Sequence, residues 1–195
     1  MGKLAGLEEY LAEKYNISVF DNAVDSRKQW AMHVHNNSII KGVIKENLRY
    51  DIKIISKNPD EEVIPKIDIK LVYPDAISDS VGPLLNGDKK VKALGLQPIS
   101  APAKRYHVKN KSLFPLMKER KLVFFTLLEG EVVRGIIAGF SRYEITLHMK
   151  GGVPVTILRH SIYDLRDKNS RCYLKSYQET RRDWEKSPLY GISDG

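Results

Sequence analysis

The chain has 195 residues, of which 42% are hydrophobic and 29% charged, and its net charge is +8. This length allows one or two domains, and the positive balance favours polyanionic partners, nucleic acid above all. No apolar run approaches membrane-spanning length, which excludes a membrane-spanning helix. Cys172 is the only cysteine, which excludes an internal disulfide and fits a reducing, cytoplasmic setting. No uninterrupted apolar signal core opens the chain, and Gly6 stands where a myristoylation signal needs Ser or Thr.

In chain order, Leu4 to Tyr15 reads as a short amphipathic helix, with Leu4, Leu7, Leu11 and Tyr15 on one face. Asn16 to Ser26 reads as a polar connector. Trp30 to His35 and Ser38 to Glu46 flank Asn36-Asn37, a pair that tolerates positive φ and suits a tight hairpin. Tyr50 to Ser56 alternates as a strand, Lys57 to Asp60 reads as a turn, and Glu62 to Tyr73 supplies one or two further strands. Residues 76–111, rich in Pro, Gly and Lys, read as an interdomain linker. SLFPLMKERK then opens a second unit with a helical turn or two, Pro115 lying near its start. Strands are expected at Leu122 to Leu128, Glu131 to Phe140, Tyr143 to Lys150, Val153 to Leu158 and Ser161 to Leu165. The charged stretch Arg166 to Lys186 suits a helix.

The segment Lys41 to Ile54 returns 93 positions later as Arg134 to Leu147. Identical pairs include Gly42 and Gly135, Ile44 and Ile137, Arg49 and Arg142, Tyr50 and Tyr143, and Ile69 and Ile162. A fixed self-similar period implies one structural unit used twice. A helix followed by five short strands suggests a strongly bent sheet, with Gly42 and Gly135 at the bends. The expectation is a mainly β chain of two tandem small five-stranded barrels, each preceded by a short helix. The boundaries are 1–75 and 112–166 for the two domains, 76–111 for the linker and 167–195 for a charged extension.

Three stretches of the second unit carry a family resemblance. Met117 to Gly135 (MKERKLVFFTLLEGEVVRG), Phe140 to Leu147 (FSRYEITL) and Val155 to Leu165 (VTILRHSIYDL) are similar to the Sm-like family, and within it to the Hfq RNA chaperones. Glu62 to Pro74 of the first unit resembles the same last signature, keeping Lys66 but carrying Ile67 in place of the His. The resemblance implies ring-forming, Sm-like barrels that hold single-stranded, U-rich RNA at the pore face, in an RNA chaperone or post-transcriptional role. By motif position it assigns base stacking to Tyr143 and Tyr50, and RNA contacts to Arg142, Arg159, His160, Arg49 and Lys66. The family's basic rim maps onto Lys118 and Arg120, with Arg27 and Lys28 as their counterparts. Its purine-reading positions hold Thr126, Glu131 and Arg134 here, so only the uridine-reading face carries over.

These assignments have chemical sense of their own. Any base offers a π-face to an aromatic side chain, and Arg and Lys neutralise phosphates. The plainer alternatives are that Tyr50 and Tyr143 belong to the barrel edge, that Arg49 and Arg142 are solvated turn residues, and that His160 binds only a backbone carbonyl. Two such units per chain predict a homotrimer closing a pseudo-hexameric ring. The rival functions are an oligomeric protein-interaction scaffold and a generic DNA binder. No Gly-rich phosphate loop, metal-ligand cluster or nucleophile triad appears, so neither an enzyme nor a cofactor is expected.

Overall fold

The computed structural model describes residues 4–56 and 61–174. Two helices open the chain, α1 (Leu7–Lys14) and α2 (Val19–Ser26). Strands β1 (Gln29–Val34), β2 (Ser38–Asn47), β3 (Asp51–Ile55), β4 (Glu61–Pro65) and β5 (Ile69–Pro74) follow. A connecting stretch holds α3 (Ser78–Val81), β6 (Asn86–Gly87) and α4 (Lys89–Lys92). Helix α5 (Asn110–Lys118) then leads to β7 (Leu122–Leu127), β8 (Glu131–Phe140), β9 (Glu144–His148), β10 (Pro154–Leu158) and β11 (Ile162–Asp167). None of the described helices is long and apolar enough to cross a membrane.

Local chemistry explains most of these boundaries. Val34 pairs with Ser38, so the hairpin turns through His35, Asn36 and Asn37, and both asparagines take positive φ, 65° and 54°, which their short polar side chains tolerate. The stretch expected as a polar connector contains α2 instead. The Ser18 hydroxyl caps it by accepting from the Phe20 N–H, and Phe20 and Ala23 are buried. The Ser18-x-x-Asp21 spacing was the sequence signal for that start. Helix α5 begins at Asn110, so Pro115 lies past its first turn. Residues 57–60, expected as a turn, and most of the charged stretch expected as a helix lie outside the described residues.

The expectation of two closed Sm-like barrels is corrected. All eleven strands belong to one open sheet, in the order β11-β7-β8-β9-β10-β5-β1-β2-β3-β4, with β6 added against β8. β11 and β4 stand at opposite ends of that order and do not pair with each other. The reason is the central junction. β10 spends its outer edge on β5, with Thr156 opposite Val72 and Ile157 opposite Leu71. Unpaired strand-edge N–H and C=O groups need partners, and here they find them across the halves of the chain rather than by closure within each half. The repeated segments therefore duplicate a strand order inside one sheet, and each strand from β1 to β5 has its counterpart 93 residues on in β7 to β11.

The two larger apolar cores confirm this continuity. Ala31, Leu71 and Tyr73 of the first half pack into the core built mainly by α5 and β7 to β11. Leu158 of β10 packs in return with Phe20, Met32, Ile52 and Ile69. Successive side chains of a strand face opposite ways, so β5, lying between the cores, is buried from Ile69 to Tyr73. α1 does not serve the half it precedes. The Tyr10 hydroxyl donates to the Phe140 carbonyl at 2.9 Å and accepts from the Phe140 N–H at 2.7 Å. In the connecting stretch Val81 and Val91 are buried, and β6 pairs with the start of β8.

A buried ion cluster pins the halves together. Lys70 is fully buried, and its ammonium donates to both Glu129 and Glu131. Glu129 also accepts from the backbone N–H groups of Asn36, at 2.8 Å, and Asn37, at 3.2 Å. The tip of one hairpin is thus tied to the tip of another. Burial pushes the Glu129 carboxyl upward, but Lys70 and the two N–H donors outweigh it and hold the group below its ordinary value.

Two outcomes follow for equilibrium denaturation in urea. A Cβ at Gly135 would stand 2.7 Å from the His148 carbonyl oxygen, and one at Gly42 would stand 2.7 Å from that of Ile55. Gly135→Ala and Gly42→Ala should each cost about 1–3 kcal/mol, whereas Gly87→Ala, with open space around it, should change little. Lys70→Ala leaves two carboxylates without their cation and should cost about 3–5 kcal/mol.

Candidate ligand-binding cleft

The sheet junction creates a cleft of about 890 Å³ between the halves, with Arg49, Tyr50, Lys66, Arg142, Tyr143 and His160 in its wall. That size lies within the roughly 300–1,000 Å³ typical of ligand sites. Two equivalent turns carry its aromatic residues. In the first, the Leu48 N–H donates to the Asp51 carbonyl at 3.0 Å. In the second, the Ser141 N–H donates to the Glu144 carbonyl at 2.9 Å. Each turn is anchored from behind, where the Lys66 N–H donates to Tyr50 and the Arg159 N–H to Tyr143, both at 2.8 Å. The backbone is therefore held while the side chains project. Tyr50 is 69% exposed and Tyr143 62%. The Arg49 guanidinium lies 5.2 Å from the Tyr50 ring centre, and that of Arg142 lies 5.3 Å from the Tyr143 ring centre. Each pair thus sets a cation over one face of a largely exposed tyrosine ring.

The remaining charges are largely engaged. Lys66 donates to the Leu48 carbonyl, and burial lowers its pKa. Glu144 accepts from the Ser18 hydroxyl and the Val19 N–H, both at 2.7 Å. Burial raises its pKa, and those two donors pull it partly back. Asp21 accepts from the Asn47 amide at 2.6 Å. Arg105 reaches the cleft from the connecting stretch, its Nε donating to the Ile99 carbonyl at 2.7 Å.

The sequence-assigned residues thus divide into three groups. Arg49, Tyr50, Lys66, Arg142, Tyr143 and His160 come together. Arg159 does not line the cleft. Its guanidinium lies 5.5 Å from the Phe140 ring centre and donates to the Asn110 side chain at 2.9 Å, and burial pushes its pKa down to about 10. The four rim residues also lie elsewhere. The Lys118 ammonium sits over the Phe114 ring, Arg120 lines a separate groove with His148 and Lys150, and Arg27 and Lys28 are exposed at the end of α2. His160 stands in the cleft wall with Nε2 2.9 Å from the Ile69 carbonyl oxygen, so that nitrogen carries the proton. Burial, reinforced by the nearby Arg105, lowers its pKa to about 4. It is neutral at physiological pH and brings a fixed dipole to the cleft.

Sequence reasoning missed the contribution of Tyr15, Ile17, Ser18 and Arg105 to the cleft wall. Only Ser18 carried a local signal, its capping spacing. Among the described residues, no group of three or more His, Cys, Asp or Glu side chains is placed to hold a metal ion. No family model, curated protein or solved structure matches the chain, so the Hfq resemblance has no support beyond its motifs, and the sheet topology contradicts it.

His160 makes stability depend on pH. Its pKa is about 4 in the fold, against 6.5 when unperturbed. Between these values the unfolded chain binds the proton and the folded chain does not. Its contribution is complete above pH 6.5 and is lost as pH falls towards 4. His160→Gln, which can still donate to Ile69, should flatten the decline in urea midpoint across that window.

Proposed function

We propose that the chain is a binding protein rather than an enzyme, and that the cleft receives a short segment of single-stranded nucleic acid. The observation that carries this reading is the convergence of two exposed Arg–Tyr pairs on one cleft. Unstacked bases lie against the tyrosine rings, each contact contributing about 1–3 kcal/mol. The flanking guanidiniums neutralise phosphates and release counterions. A duplex keeps its bases stacked inside and offers them to neither ring. The net charge of +8 draws a polyanion to the protein from a distance. The Hfq-type chaperone function fell with the barrels and is not part of this reading, which requires neither a pore nor a ring. A cytoplasmic setting fits a chain whose single cysteine, Cys172, can form no internal disulfide.

Fluorescence anisotropy with labelled single-stranded RNA, single-stranded DNA and duplex DNA at two salt concentrations tests the proposal. Single strands should bind more tightly than duplex, and binding should weaken with salt. Tyr50→Ala and Tyr143→Ala should each weaken single-strand binding by about 1–3 kcal/mol. Arg49→Ala and Arg142→Ala should each reduce the salt dependence by roughly one phosphate contact. Equal affinity for duplex, or binding untouched by loss of both tyrosines, rejects the cleft as the site.

A further inference from the structure

The central junction shows how this sheet joins one edge to another. β10 lies antiparallel on the outer edge of β5, with Thr156 opposite Val72. The counterparts of those strands, 93 residues away, are β4 for β10 and β11 for β5, and they are the two ends of the sheet. The molecule therefore ends in two edges whose equivalents already fit each other inside it. In the same register, Val63 of one copy would face Leu165 of a second, and Glu62 would face Arg166.

The two ends are not in the same condition. β4 pairs only with β3 among the described residues, and Val63 on it is 58% exposed. β11 is covered by the chain's own C-terminal return. After a turn in which Ser170 takes a φ of 62°, the chain runs back beside β11 and bridges Arg166 to Cys172. The Tyr173 N–H donates to the Leu165 carbonyl at 2.9 Å, and the Asp167 N–H donates to the Arg171 carbonyl at 3.2 Å. Leu165 is the counterpart of Val72, the residue that pairs with β10 at the junction. Residues 171–174 thus occupy on β11 the place that β10 occupies on β5. The Tyr173 hydroxyl on Asp167 and the buried Leu174 hold the return down.

We propose that residues 171–174 are a displaceable cap, and that β4 of a second copy competes with them for the outer edge of β11. While the cap is seated the chain is a monomer with one open edge. When it leaves, copies join head to tail by extending the sheet. Such a contact is heterologous, so it builds a ring if the rotation closes and a filament if it does not. Three copies closing on themselves would have about three times the 22.3 kDa chain mass. Edge pairing is also what a sheet must guard against in the wrong setting, which gives the cap its value. This inference rests on the junction and is independent of what occupies the cleft.

Light-scattering mass measurement on the full chain and two variants tests it. The full chain should run at 22.3 kDa. Tyr173→Pro removes the N–H that Leu165 accepts and should shift the mass to concentration-dependent multiples. Truncation after Ser170 should do the same and serves as the second uncapped form, with circular dichroism verifying that each is folded. Adding Val63→Pro to either should return the mass to one chain, because it removes a donor from the β4 edge, where Pro65 already stands. A full chain already multimeric at the same concentration overturns the cap. Folded uncapped forms that stay at one chain mass, or multimers indifferent to Val63→Pro, overturn the edge-to-edge contact.

Discussion

A single buried ammonium, that of Lys70, holds the halves of this molecule in register. It is fully buried and contacts two carboxylates, Glu129 and Glu131, from the other half of the chain. A buried charge is tolerated only when its partners are in place, so the two hairpins cannot drift apart without exposing or orphaning it. The Asn36 and Asn37 N–H groups add directional bonds to the same Glu129 carboxylate. His35 lies within 3.9 Å of that carboxylate, and neither of its ring nitrogens has a hydrogen-bond partner among the described residues. Burial lowers its pKa, so the imidazole stays neutral and adds no second cation to the cluster.

Everything else follows from where this cluster places β5. The strand lies between β1 and β10 and is buried on both faces, so one sheet runs through both halves. The cores then exchange residues across the junction, with Leu71 and Tyr73 on one side and Leu158 on the other. The same placement brings two equivalent turns to the two walls of one cleft. Each wall alone would be a solvated turn with an exposed tyrosine. Lining one cleft together, they bring two tyrosine rings and two guanidiniums to a single concave surface.

The two ends of the sheet mirror that junction. An interior contact that fits once can fit again between copies, unless something stands in the way. Here the C-terminal return stands in the way on β11, and nothing among the described residues does so on β4. The asymmetry between a covered end and an open one is a property of this chain's last described residues rather than of the duplicated strand order.

Much of the local structure was legible in the residues alone. Alternation and the Asn36-Asn37 pair marked the strands and the first hairpin, and the 93-residue period marked which positions correspond. Gly42 and Gly135 were legible as bends in their strands, while the carbonyl oxygens that would stand 2.7 Å from a Cβ at either position came only with the fold. The sequence also marked six of the residues that line the cleft, through their motif positions in the family resemblance. Closure was beyond its reach. A five-stranded unit can close on itself or pair with its neighbour using the same edge groups, and local pattern is identical in both cases. Tertiary structure alone decided between them, through the β10–β5 pairing and the Lys70 cluster, whose members stand about 60 residues apart in sequence. For the same reason Arg159 was legible as a basic residue in a motif but not as a buried one. What surrounds its guanidinium, Phe140 and Asn110, is brought there only by the folded chain.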